Sequence, residues 1–115
     1  MFKLQTTASY WWPVPIPVAV DGGTFEEHVL SLKFKRMTAP EHEALFEETH
    51  AKGLGDIEVS QRLLLDWRDV VDEDDKPVPY TAEAFAKLCS RFPGAAGNVV
   101  RVYLSTHGKI SAKNW

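Results

Sequence analysis

The sequence predicts an α+β fold, in which an N-terminal β-hairpin or small antiparallel sheet packs on three to four short helices. Three features support this prediction: an alternating strand over residues 10–20, a turn at 21–23 that leads into a second alternating strand, and a series of capped helical segments after residue 38. A chain of 115 residues with 44% hydrophobic residues is long enough for one core. We therefore assign residues 1–115 to a single domain.

The first predicted strand has one edge that cannot form a full hydrogen-bond ladder. Branched residues alternate with prolines in the order Pro13, Val14, Pro15, Ile16, Pro17, Val18. Residues two apart direct their N–H groups to the same lateral edge, so three prolines remove three donors from one edge. Only the opposite edge is free to pair.

The turn and the return strand complete the predicted hairpin. Asp21, Gly22 and Gly23 tolerate the positive φ angles that a tight antiparallel turn requires. The return strand alternates apolar and polar residues, with Leu30, Leu32 and Phe34 on one face. Two adjacent tryptophans, Trp11 and Trp12, point to opposite faces of an extended strand, so at least one is expected to be exposed or covered by a partner.

Four helices are predicted in the rest of the chain. The first covers residues 39–52 after a capping box of Thr38 and Glu41, the second covers 57–70, the third follows Thr81, and the fourth lies within 95–106. The second helix carries the strongest apolar stripe. The predicted core comprises Leu63, Leu64, Trp67, Val70, Phe85, Leu88 and Phe92. Residues 1–9 are expected to form an arm or a short strand, and 109–115 a flexible tail.

Composition limits the partners and the compartment. With 13 basic and 16 acidic residues the net charge is −3, which gives no overall attraction to nucleic acid. No apolar run approaches the length of a membrane span or of a signal peptide. A single cysteine, Cys89, cannot form an internal disulfide. We expect a cytoplasmic protein that binds neither membrane nor nucleic acid.

Candidate chemical sites do not match the spacings that their chemistry requires. The acidic run 72–75 lacks the central glycine and the closing glutamate of a calcium loop. His42 and His50 lie eight apart, whereas a zinc helix needs two histidines four apart. Cys89 falls on an apolar helix face, with no local base. The sequence predicts no catalytic residue, no metal and no cofactor.

Several local phrases in the same order along the chain resemble the tail assembly chaperones of long-tailed bacteriophages. They are YWWPV at 10–14, FKRM at 34–37, LDWRDVVDE at 65–73 and PVPYTAEAF at 77–85. The resemblance covers nearly the whole chain. One departure is the turn at 74–76, where such proteins often have a glycine.

The resemblance implies a non-enzymatic viral protein that works in the cytoplasm of the bacterial host and is absent from the mature virion. Such a protein binds the tape measure protein and helps recruit tail tube subunits, and this chain would be the short form where a longer frameshifted product also exists. The alternative is a structural virion protein, such as a tail completion or head-tail joining component.

The hairpin and the tail tip supply the candidate partner-binding residues, which are Tyr10, Trp11, Trp12, Val14, Ile16, Val18 and Trp115. Contact is expected through apolar side chains, or by strand addition at the edge that has no prolines. The sequence leaves the oligomeric state open, with self-association among the alternatives.

Overall fold

The computed structural model describes residues 1–4 and 6–107. Two strands open the chain, β1 (Ser9–Val20) and β2 (Thr24–Lys35), and a third, β3 (Leu64–Arg68), follows two helices. The helices are α1 (Ala39–Lys52), α2 (Asp56–Leu63), α3 (Ala82–Arg91) and α4 (Ala95–Thr106). The antiparallel sheet has the order β1-β2-β3. The predicted α+β fold, a small antiparallel sheet with four helices, is confirmed.

The predicted hairpin is confirmed over its whole length. β1 and β2 pair from Ser9 opposite Lys35 to Val20 opposite Thr24. Gly22 and Gly23 close the turn at φ 96° and 81°, a region that side-chain-bearing residues rarely adopt.

Two helix starts and one helix end agree with the signals in the sequence. The capping box of α1 is present, because Thr38 N–H donates to Glu41 Oε1 at 2.9 Å and Glu41 N–H donates to Thr38 Oγ1 at 3.4 Å. Gly53 ends this helix at φ 63°. Ala84 N–H donates to Thr81 Oγ1 at 2.9 Å at the start of α3.

The prediction of a single helix over residues 57–70 is wrong in its second half. The helix ends at Leu63, and Leu64 begins a strand that pairs with β2. The register shifts between Lys33 and Phe34, which leaves one extra residue, Leu65, in β3. This bulge brings Leu64 and Trp67 to the same face although they are three apart. A bulged strand therefore reproduces the spacing of a helical stripe.

The core lies between one face of the sheet and the helices. Among the predicted core residues, Leu63, Leu64, Trp67 and Phe85 are buried, whereas Val70 and Leu88 are half-buried against them. Phe92 is 38% exposed, so its assignment to the core is wrong. It is the C-cap of α3, beyond the last helical position, and the three-and-four spacing no longer determines its direction there.

Of the two alternatives predicted for residues 1–9, the described residues before Ser9 fit the arm, because none of them lies in a strand and Phe2 and Leu4 are exposed there. The tail predicted for 109–115 lies outside the described residues. Among the described helices, none has both the length and the apolar content that crossing a bilayer requires.

Candidate partner-binding surface

The outer edge of β1 is the edge that the prolines block. The ladder to β2 continues one step past the strand, where Arg36 N–H donates to Ala8 O at 2.9 Å. Even-numbered residues of β1 therefore bond to β2, and the odd-numbered prolines face outward. Asn98 of α4 is consistent with this, because its Nδ2 donates to the outward carbonyl of Pro15 at 3.2 Å. The proline-free edge predicted as a docking site is thus occupied by β2.

The hairpin divides into two halves with different surroundings. In the proximal half, residues 9–16 and 28–35, one face is covered by the helices and contains the buried Val14, Ile16, Leu30, Leu32 and Phe34. In the distal half, residues 17–27, no residue is buried. Beyond the last pair with β3, at Ser31, the outer edge of β2 continues towards the tip.

The candidate contact residues therefore differ in burial, and not all of them can reach a partner. Val14 and Ile16 lie in the core, so they are not a contact surface, which corrects the prediction for these two. Val18 is half-buried. Val14, Ile16 and Val18 share one face of β1, yet they differ in burial because the helices cover only the proximal half. Trp115 lies outside the described residues.

The two tryptophans are held on opposite faces of β1. The guanidinium carbon of Arg68 lies 4.2 Å from the centroid of the Trp11 ring, and Lys33 Nζ lies 5.9 Å from it. Trp12 packs edge-on against Tyr10 at a centroid distance of 6.5 Å, yet 45% of its surface is exposed. Each tryptophan therefore keeps accessible apolar surface.

Tyr10 belongs more to the fold than to a free surface. Its ring packs on Phe34 at 5.7 Å, and its hydroxyl lies 2.6 Å from Thr106 Oγ1. Burial raises the pKa of Tyr10, which keeps the phenol protonated. This residue ties the start of β1 to the end of α4.

A cluster of rings beside Tyr10 attaches α1 to α4. The rings of His42 and His107 lie 4.9 Å apart, and His42 Nε2 lies 3.3 Å from the Tyr103 hydroxyl. Burial, assisted by the neighbouring His107, lowers the pKa of His42. His42 Nδ1 is buried and has no hydrogen-bond partner among the described atoms. The neutral imidazole is therefore favoured.

The sequence-based prediction missed exposed apolar side chains of β2 and α3. Phe25 and Val29 are 70% and 64% exposed on β2, and Phe92 is exposed at the end of α3. A shallow depression of about 100 Å³ is lined by Ile16, Val18, His28, Val29, Leu30, Leu88 and Phe92. The residue before a proline disfavours helical backbone, and Phe92 immediately precedes Pro93. This was the signal in the sequence that Phe92 lies outside the helix interior.

The described residues contain no group of three histidine, cysteine, aspartate or glutamate side chains placed to hold a metal. Cys89 is buried, and burial raises its pKa to about 11, which disfavours the nucleophilic thiolate.

Comparison with protein-family models matches the chain to a prophage protein family. A family model described as "YdaY prophage protein" matches residues 28–104, which is more than half of the chain and runs from within β2 to near the end of α4. No curated protein and no solved structure matches significantly. By its match to this model, the chain belongs to the YdaY prophage protein family.

Proposed function

We propose that this prophage protein is a tail assembly chaperone, which binds the tape measure protein and assists the assembly of tail tube subunits without catalysing a reaction. The observation that carries the proposal is the apolar surface that the fold leaves uncovered on and beside the hairpin. The whole-chain resemblance to tail assembly chaperones supports it, as does membership of a prophage family.

The uncovered side chains suit reversible binding of an apolar partner. Trp12, Phe25, Val29, Val71 and Phe92 are exposed on the strands and on the segments that follow β3 and α3. Val29 and Phe92 line one depression, and exposed apolar side chains that share a patch are typical of interaction surfaces. A chaperone for long apolar helices needs such a surface while its own core stays closed.

Co-expression with the tape measure protein of the same prophage tests the proposal. We expect a complex in a pull-down and a higher soluble yield of the tape measure protein. Phe25→Ser or Trp12→Ala should reduce capture and leave folding intact, because both side chains are exposed. An equally soluble tape measure protein without the chaperone, together with no complex, would contradict the proposal.

A folding control separates lost contact from lost structure. Trp67 is buried, and its indole N–H donates to Val78 O at 2.7 Å. Trp67→Ala should therefore lower the free energy of unfolding by about 3 to 5 kcal/mol. Equal losses of folding in Trp12→Ala and Trp67→Ala would show that the hairpin aromatics serve the core instead of a partner.

A structural virion protein is the second candidate, favoured by the long projecting hairpin. Strands of 12 residues extend beyond the helices, as an arm that inserts between neighbouring subunits would do. Mass spectrometry of particles purified after prophage induction distinguishes the two candidates. The chaperone proposal predicts absence from mature particles and presence in the host cytoplasm. A stoichiometric copy in the particle would favour the structural role.

A further inference from the structure

We infer that β2 binds an extended segment of another protein by strand addition along its distal edge, and that this segment carries a basic residue between two apolar ones. We use distal edge for the side of residues 25–29 that faces away from β1. It begins in the distal half of the hairpin and ends at Val29, just inside the proximal half. The inference does not rest on the chaperone proposal, because a virion protein could use the same edge.

The backbone groups of this edge point into open space. Glu27 and Val29 stand opposite Pro17 and Pro15, which are pairs that cannot exchange hydrogen bonds, so their N–H and C=O groups point away from β1. Phe25 shares this parity. Within residues 1–4 and 6–107, no hydrogen bond reaches these groups. Three donors and three acceptors are available at strand spacing.

The end of β3 keeps this edge clear. The last pair between β3 and β2 is Arg68 with Ser31. Asp69 then adopts φ 61°, a left-handed conformation that takes the chain out of the strand direction. An added strand would therefore continue the line of β3 towards the hairpin tip.

The sheet's other edges are protected. Prolines occupy the outer edge of β1. On the outer edge of β3, Trp67 N–H donates to the side chain of Asp66, its Oδ1 at 2.8 Å. Protected edges are how native sheets prevent strand pairing. In the part of the chain that the structure describes, the distal edge of β2 has neither prolines nor a side-chain hydrogen bond to its outward amides, so it is the edge that remains available for pairing.

Side chains on both faces define what the added strand must carry. Phe25, Glu27 and Val29 lie two residues apart on the outer face of β2, with Glu27 in the middle. The complementary strand therefore places a cation between two apolar residues. On the inner face, the added strand would lie over the depression beside Leu88 and Phe92. Strand addition takes affinity from the main chain and specificity from alternate side chains.

Charge argues against a second copy as the occupant. Suppose two copies paired antiparallel through their distal edges, with Phe25 of each copy opposite Val29 of the other. The two Glu27 side chains would then lie directly opposite each other. Like charges in that position destabilise a strand pair. The segment is therefore assigned to a different protein, with Lys or Arg opposite Glu27.

A capped heptapeptide, Ser-Val-Thr-Lys-Thr-Val-Ser, serves as the probe in NMR amide exchange on the full chain. We expect new protection at the amides of Phe25, Glu27 and Val29, with Glu26 and His28 unchanged because they already bond to β1. A peptide with Glu in place of Lys should bind roughly threefold to fivefold more weakly. N-methylation of its two valines should abolish binding.

Variants of the chain complete the test. Val29→Pro removes an outward donor without touching the ladder to β1 and should abolish peptide binding, whereas Val29→Thr should keep it. Glu27→Lys should reverse the preference between the two peptides. The inference is overturned if protection shows no odd-even pattern. It is also overturned if these amides are protected in the absence of peptide. Protection that does not depend on protein concentration would mean that the chain itself covers the edge. Protection that rises with protein concentration would mean that a second copy covers it.

Discussion

The proximal and distal halves of the hairpin share one sequence pattern but have different environments. Both alternate apolar residues along β1, yet Val14 is fully buried in the proximal half whereas Val20 is exposed in the distal half. The helices and β3 cover only the proximal half. Alternation therefore specifies which side chains share a face, and the length of the covering elements decides which of them enter the core.

The largest expected effect comes from removing one phenylalanine in each half. Phe34 is fully buried against Tyr103, with ring centroids 5.2 Å apart, whereas Phe25 is 70% exposed. Phe34→Ala should lower the free energy of unfolding by about 3 to 5 kcal/mol. Phe25→Ala should change it by less than about 0.5 kcal/mol.

Urea denaturation followed by circular dichroism measures both variants against the parent chain. A comparable loss for Phe25→Ala would mean that the distal half also contributes to the core, and the division of the hairpin would then be wrong.

A smaller effect is expected at the turn. Gly23 has φ 81°, and a Cβ placed there would meet no neighbouring atom, so any cost is one of backbone conformation. Gly23→Ala should cost about 1 to 2 kcal/mol of local stability. Amide exchange at Glu26 and His28 should accelerate more than at Leu32.

The matched control for the turn is Thr24→Ala, at the first residue after it. Uniform acceleration along β2 in Gly23→Ala would show that the hairpin unfolds as one unit instead of fraying from its tip.

The pH dependence of stability tests the attachment of α1 at the proximal end. Burial, together with His107, lowers the pKa of His42, so the unfolded chain takes up this proton at higher pH than the folded chain. Stability should therefore fall as pH drops through the unfolded value of about 6.5 towards the folded one.

His42→Gln should flatten this dependence between about pH 7 and pH 5, the range around the unfolded histidine value. Urea midpoints across that range, for the variant and for the parent chain, provide the measurement. An unchanged slope would assign the pH dependence to other groups.

A small effect on stability is also expected at the blocked edge. Pro15 directs no donor towards β2, so Pro15→Val leaves the ladder intact and should change the free energy of unfolding by less than about 1 kcal/mol. It restores one outward N–H on β1. Replacing Pro13, Pro15 and Pro17 together should raise concentration-dependent association, measured by analytical ultracentrifugation. A monomeric triple variant would show that the prolines do not protect this edge.

Much of the fold could be predicted from local signals. Thr38 with Glu41, Thr81, and the Gly22-Gly23 turn each act through contacts within a few residues, and all three are as expected in the structure. The prediction of one helix over residues 57–70 was wrong in its second half because the decisive interaction is not local. Leu64 and Trp67 pair with β2 about thirty residues earlier, and no short window contains that partner.

The candidate surface was harder to predict for the same reason. The prolines correctly indicated a blocked edge, but the pairing partner of the other edge depends on topology. Val14 and Ile16 were placed on the surface because strand alternation carries no information about how far the helices extend. The open edge at Phe25, Glu27 and Val29 follows from the shortness of β3 relative to β2, a comparison between elements that are distant in sequence.

The left-handed conformation of Asp69 has a consequence for how this surface could change. Asp, Asn and Gly are the residues that tolerate such a φ, so position 69 acts as a stop for the third strand. A β-branched residue there would favour continued extension, and the lengthened strand would pair with the remainder of β2 within the same molecule. If the distal edge binds an external strand as inferred above, one substitution at position 69 would close that edge within the same molecule and remove the binding site.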